Sequence, residues 1–108
     1  MTVLTRTEEM ILLVVYQLDD NAYGITIRNS LEKFMRKKFS IGAIYIPLER
    51  LTKRGILKAY KVEPTGERGG RNKRLFKITS KGILALKETK ELHDTMWNVI
   101  SEDGLKPI

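Results

Sequence analysis

At 108 residues the chain has the length of one domain and leaves no room for a second full core. Hydrophobic residues make up 42% and charged residues 31%, the balance of a globular protein; with no cysteine and one histidine, a disulfide framework and thiolate metal sites are excluded. The net charge of +7 is unevenly placed, with −3 on residues 1–32, +12 on residues 33–81 and −2 on residues 82–108, a segregation that a phosphate-binding surface produces and uniform solubilising charge does not.

The apolar run at residues 10–16 follows Glu8 and Glu9, lacks a small-residue cleavage site after it, and is shorter than the roughly 20 residues a bilayer requires. Neither a signal peptide nor a membrane span is expected, and the protein is placed in the cytoplasm, associated with the nucleoid. Thr5 with Glu8 makes a capping box, and the helix that follows is apolar on nearly every side, so a central, buried position is expected. Asp19, Asp20 and Asn21 break it. A second amphipathic helix places Ile27, Leu31, Phe34 and Met35 at helical spacing up to the basic cluster Arg36, Lys37 and Lys38.

Ser40 is the N-cap of a third helix in which Ile41, Ile44, Leu48 and Leu51 share one face and Gly55 is the terminator. Pro47 removes one backbone donor and crowds the carbonyl of Ala43, so a kink is expected near it. Residues 56–62 and 74–79 are rich in β-formers and flank a loop with Pro64, Gly66, Gly69 and Gly70, which predicts a hairpin with a basic tip. A long last helix covers residues 80–100. The order predicts a mainly α, α+β fold: a winged helix-turn-helix with a two-stranded wing over residues 1–79, and a C-terminal dimerisation helix and tail over residues 80–108.

The stretch Ser40-Ile41-Gly42-Ala43-Ile44-Tyr45-Ile46-Pro47-Leu48-Glu49-Arg50-Leu51, followed by Gly55-Ile56-Leu57, resembles the signature helix of the PadR family of bacterial regulators. Tyr23-Gly24 before it, Gly69-Gly70-Arg71 in the wing and residues 76–82 after it are similar to that family's other spaced motifs, and together they span residues 4–83. The resemblance implies a homodimeric transcriptional repressor whose third helix and wing contact a palindromic operator, in the smaller subfamily with a single dimerisation helix. Ala43 and Phe76 depart from the pattern, which often has a hydroxyl residue and a tyrosine there.

The residues themselves supply the chemistry of double-stranded DNA recognition. Ser40, Gly42 and Ala43 are small enough for the helix N-terminus to approach DNA closely and offer backbone donors. Tyr45 is placed to aim its hydroxyl at a phosphate, and Tyr23, opening the second helix, is a further candidate for DNA contact. Ile46 and Pro47, read as lying off the apolar stripe, are candidates for thymine methyl contacts. Arg50 and Lys53 share the outward face, with Glu49 as a competing ion-pair partner. In and beside the wing, Gly69 and Gly70 let the backbone follow the groove while Arg71, Lys73 and Arg74 take phosphates.

On the last helix Ala85, Thr89, Leu92, Met96 and Val99 alternate at spacings of four and three, a coiled-coil seam, and Leu86, His93 and Ile100 flank it; a partner helix is implied. Trp97, with Met96, stands beside the seam and is a candidate site for a small aromatic effector, as in small members of the family. His93 has no second ligand nearby, so no metal is expected, and no cofactor. No phosphate-binding loop, catalytic triad or carboxylate pair is present, which argues against an enzyme. The alternatives are a winged-helix module that docks an acidic protein partner and, less compatible with the sparse aromatics, an RNA-binding domain.

Overall fold

The computed structural model describes residues 1–62, 73–100 and 104–108. Helix α1 (Arg6–Leu18) opens on the expected capping box: the Glu8 N–H donates to Thr5 Oγ1 at 3.1 Å, and the Thr5 N–H donates to Glu8 Oε1 at 2.9 Å. Ile11, Leu12, Val14 and Val15 turn into the core, whereas Leu13 and Tyr16 are exposed, so α1 is buried on one side and not all round. A 3-10 turn at Asp19–Asn21 leads into α2 (Gly24–Met35), which buries Ile27 and Leu31. Phe34 and Met35, read as core by their spacing, face outward; the helix ends at Arg36 in the left-handed region (φ 52°), before another turn of core is needed.

The chain folds back through the bond from the Phe39 N–H to Glu32 Oε2 (2.8 Å) and enters α3 (Ile41–Lys53), where Ser40 Oγ accepts the Ala43 N–H at 3.1 Å, the predicted cap. The buried face of α3 is Ile44, Pro47, Leu48 and Leu51. This corrects two expectations: Ile41 is exposed, and Pro47 is buried rather than outward. The helix also runs unbroken through Pro47, whose ring sits against the core and so offsets part of the lost backbone bond. Gly55, at φ 74°, makes the sharp exit that a side chain would strain.

Strands β1 (Leu57–Val62) and β2 (Lys73–Ile78) pair antiparallel, with Leu57 opposite Ile78 and Val62 opposite Lys73. Their inner end is the part fixed to the core: Phe76 is fully buried, and its N–H donates to the Ala22 carbonyl at 2.9 Å, tying β2 to the α1–α2 connection. Helix α4 (Ser80–Asn98) follows at once. Thr79 caps it by accepting the Gly82 N–H at 3.1 Å, and the same hydroxyl lies within hydrogen-bonding distance of the carbonyls of Gly55 (2.7 Å) and Ile56 (3.0 Å). The Thr79 N–H donates to the Ile56 carbonyl as well, at 3.1 Å, and Lys81 Nζ donates to the Arg54 carbonyl at 2.8 Å. A Cβ on Gly82 would overlap the Ile56 carbonyl oxygen.

The first half of α4 belongs to the core. Ala85 and Thr89 are buried, and Thr89 Oγ1 accepts the Leu4 N–H at 3.3 Å while donating to the Ala85 carbonyl at 2.7 Å. From Asp94 onward the helix is exposed. Among the described residues no helix is long and apolar enough to cross a membrane.

Because the obstacle facing Gly82 is backbone and cannot swing aside, Gly82→Ala is expected to cost about 2 kcal/mol of stability, read as a lower denaturation midpoint in guanidinium. A loss within ~0.5 kcal/mol, the usual range of a surface substitution, would show that α4 and the Ile56 turn are not in such close contact.

Candidate nucleic-acid interface

Four residues before Ile44 buries the inner face of α3, Ser40 caps the helix; on its other side Gly42, Ala43, Ile46, Arg50 and Lys53 form an exposed stripe. The first turn is bare: nothing lies within 4 Å of a Cβ built at Gly42, and Ile46 is 65% exposed. The first backbone N–H groups of α3 point out of this end without helical partners, apart from that of Ala43, which Ser40 takes. A narrow helix end with unspent donors, small side chains and one apolar residue therefore stands at the surface.

Tyr45 lies beside this stripe but leans on α2. Its ring and hydroxyl occupy the space a Cβ at Gly24 would need, so glycine after Tyr23 is what allows α3 to pack at the start of α2. Tyr23 precedes α2, its N–H donating to Thr26 Oγ1 at 2.9 Å, and Lys73 Nζ sits 5.5 Å from the centroid of its ring. That contact joins the base of the wing to the start of α2. Tyr23, Tyr45 and Lys73 are thus brought to one region.

Other predicted contacts fall elsewhere. Arg74 forms an ion pair with Glu49 and lies over the Phe76 ring at 5.2 Å, bracing β2 against α3. Arg50 has Glu8, not Glu49, as its acidic neighbour, at 3.7 Å. Gly69, Gly70 and Arg71 lie outside the described residues. Glu8 has a role beyond its capping box that the sequence does not show: nearly fully buried, it holds Arg54 at 3.1 Å across 46 residues, and no local spacing announces such a pair. Lys77 is held by Asp20 and Asp19, whose hydrogen bonds raise its ammonium above the ordinary lysine value.

On α4 the predicted seam divides. Ala85 and Thr89, expected on a seam with a partner helix, are instead covered by this chain's own core, and Leu86 packs partly against it. Leu92 and His93 are half-buried, His93 Nε2 lying 3.6 Å from Glu9 Oε1. Met96 (62%), Val99 (83%), Ile100 and Trp97 are exposed. Among the described residues no group of three acidic or histidine side chains is arranged to hold a metal.

Three helices with a bare-ended third helix, a short α2–α3 turn and an antiparallel ribbon folded against them define a winged helix-turn-helix, a DNA-binding class. The sequence profile of the PadR-like family of transcriptional regulators matches residues 11–88, and the chain belongs to that family. Its fold is similar to the crystal structure of a PadR-like regulator from Bacillus cereus, at TM-score 0.69 and 25% identity over 86% of this chain and 85% of that one. A PadR-like transcription factor from Bacteroides fragilis matches at TM-score 0.67 and 30% identity over 86% and 88% of the two chains. A putative regulator from Thermoplasma acidophilum shares the fold at 17% identity, TM-score 0.66, over 88% and 91%. No curated protein sequence matches significantly. The protein is a DNA-binding transcriptional regulator, in a family of regulators rather than enzymes.

The Gly24–Tyr45 packing is checked by a double-mutant cycle in chemical denaturation. Gly24→Ala is expected to destabilise by about 1 kcal/mol when Tyr45 is present and to be neutral or stabilising beside Tyr45→Ala; equal effects in both backgrounds would refute the contact.

Proposed function

We propose that the protein is a homodimeric repressor that occupies a palindromic operator, with the exposed first turn of α3 in the major groove of each half-site and the wing on neighbouring phosphates. The observation that carries this reading is the open space around Gly42 on the exposed side of α3, with Ala43 and Ile46 continuing the same bare face. Half-sites lie about one turn of DNA, ~10 base pairs, apart. Ser40, Gly42, Ala43, Ile46 and Lys53 meet the groove, Tyr45 and Tyr23 stand near its wall, and Arg71 and Lys73 serve the wing. Arg50 and Arg74 act through the ion pairs that set the angle of α3 and β2.

Dimerisation is assigned to the outer half of α4, where Leu92, His93, Met96, Val99 and Ile100 offer an apolar strip, while residues 1–79 with the root of α4 form the DNA-binding unit. Trp97 with Met96 is a site for a flat aromatic effector. As Trp97 is the only tryptophan in the chain, its fluorescence reports any such ligand directly. The repression itself is by occlusion, and an effector acts by changing the angle between the two wings.

Selection of duplexes from a random pool with the purified protein is expected to yield a palindrome that is lost when Arg71 and Lys73 are both changed to alanine; no enrichment at low salt overturns the reading. Gly42→Glu separates folding from binding. Removing a helical glycine and placing an acid in the first turn is expected to stabilise the fold by ~0.5 kcal/mol or more, while operator affinity falls at least about a hundredfold. Met96→Glu/Val99→Glu is expected to sediment as a folded monomer and to lose operator binding; a dimer of unchanged affinity would place the interface elsewhere.

A further inference from the structure

The turn between α2 and α3 carries a charge cluster that neither the packing nor the reading above uses. Lys33, Arg36, Lys37 and Lys38 line a shallow concavity with Asn29 and Glu32, and all four cations are exposed. Among the described residues none of the four forms an ion pair. The single carboxylate in the concavity, Glu32, is engaged by the Phe39 N–H at 2.8 Å, which shapes the turn.

Arg36 adds an independent observation. It stands at φ 52°, ψ 45°, the left-handed position at a helix end that glycine or asparagine occupies at lower cost. An arginine there projects a long cation from a turn whose backbone favours a smaller residue, the kind of local conflict that marks a working position.

Place decides the ligand. Lys38 is two residues before Ser40, the cap of α3, so with 3.8 Å between successive Cα atoms Lys37 and Lys38 stand within about 12 Å of the helix end. The major groove is itself about 12 Å wide, which brings its bordering phosphates within reach of a lysine side chain from that turn. The Lys37 ammonium lies 5.7 Å from the centroid of the Phe39 ring, and Phe39 packs against the core, which holds this cation beside the start of α3. The wing is braced at the later part of α3 by Glu49 and Arg74, so turn and wing serve different ends of the helix.

We infer that the α2–α3 turn is a separate phosphate-binding element, in which Lys37 and Lys38, assisted by Arg36, neutralise backbone phosphates of duplex DNA on the side of the groove remote from the wing. The inference rests on the placement of α3 in the major groove proposed above. It makes the footprint longer than helix and wing alone provide, without adding sequence information, because phosphates are alike at every base pair.

The test uses the full chain and the duplex recovered by selection, with affinity followed by fluorescence anisotropy across a salt series. Lys37→Ala/Lys38→Ala is expected to weaken binding about tenfold, equally on the selected and a scrambled duplex, and to flatten the slope of log affinity against log salt by about 2 per half-site. Arg36→Gly is expected to keep or raise the melting temperature while weakening binding to both duplexes. A double variant with wild-type affinity and slope overturns the inference, as does a loss confined to the selected duplex. Failure of the wild-type protein itself to bind any duplex is the distinct result that removes the α3 placement, and this inference with it.

Discussion

The carbonyls of Gly55 and Ile56 meet Thr79 and the bare Cα of Gly82, and α3, the ribbon and α4 are joined there. Thr79 lies against both carbonyls through its hydroxyl and bonds Ile56 again through its backbone, while the same side chain starts α4. Lys81 fastens the neighbouring Arg54 carbonyl. The end of α3, the inner ends of both strands and the root of α4 are therefore fixed to one another by several hydrogen bonds that converge on one turn. The orientation of α4 relative to α3 is set here, by close approach of backbone rather than by long side chains.

Much of this architecture is legible in the residue order. Thr5 with Glu8, Ser40 and Gly55 mark helix ends by local chemistry that works the same way in any fold, and those boundaries fall where expected. What local periodicity cannot hold is the identity of the covering partner. Ala85 and Thr89 have the spacing of a seam, but this chain's own Leu4 and α1 cover them; only from Met96 onward is the strip bare. Ile41 and Pro47 exchange roles for the same reason: a helical wheel fixes a stripe to within one residue, and a proline ring that is poor for the backbone is still apolar enough for a core.

The candidate site was read less completely than the fold, because charge counted along a sequence does not separate structural from available cations. Arg54 is committed to buried Glu8, Arg74 to Glu49, and Lys77 to Asp19 and Asp20. Each pair spans 25 residues or more, beyond any local pattern. Their acids come mostly from the otherwise acidic first third of the chain, so part of the segregation of charge is an internal clamp between α1, its following turn and the basic middle. Exposed cations outside these pairs, among them those on the α2–α3 turn and Lys53, contribute to the external field.

The divided burial of α4 also places its two halves under different constraints. Gly82, Ala85 and Thr89 answer to the interior of their own domain, where even a methyl group is felt, whereas Met96, Trp97 and Val99 are exposed. The tip of the helix is thus open to drift at little cost to folding. Duplicated copies of such a gene could diverge at the tip first, and become strangers to one another while their DNA-reading ends were still the same.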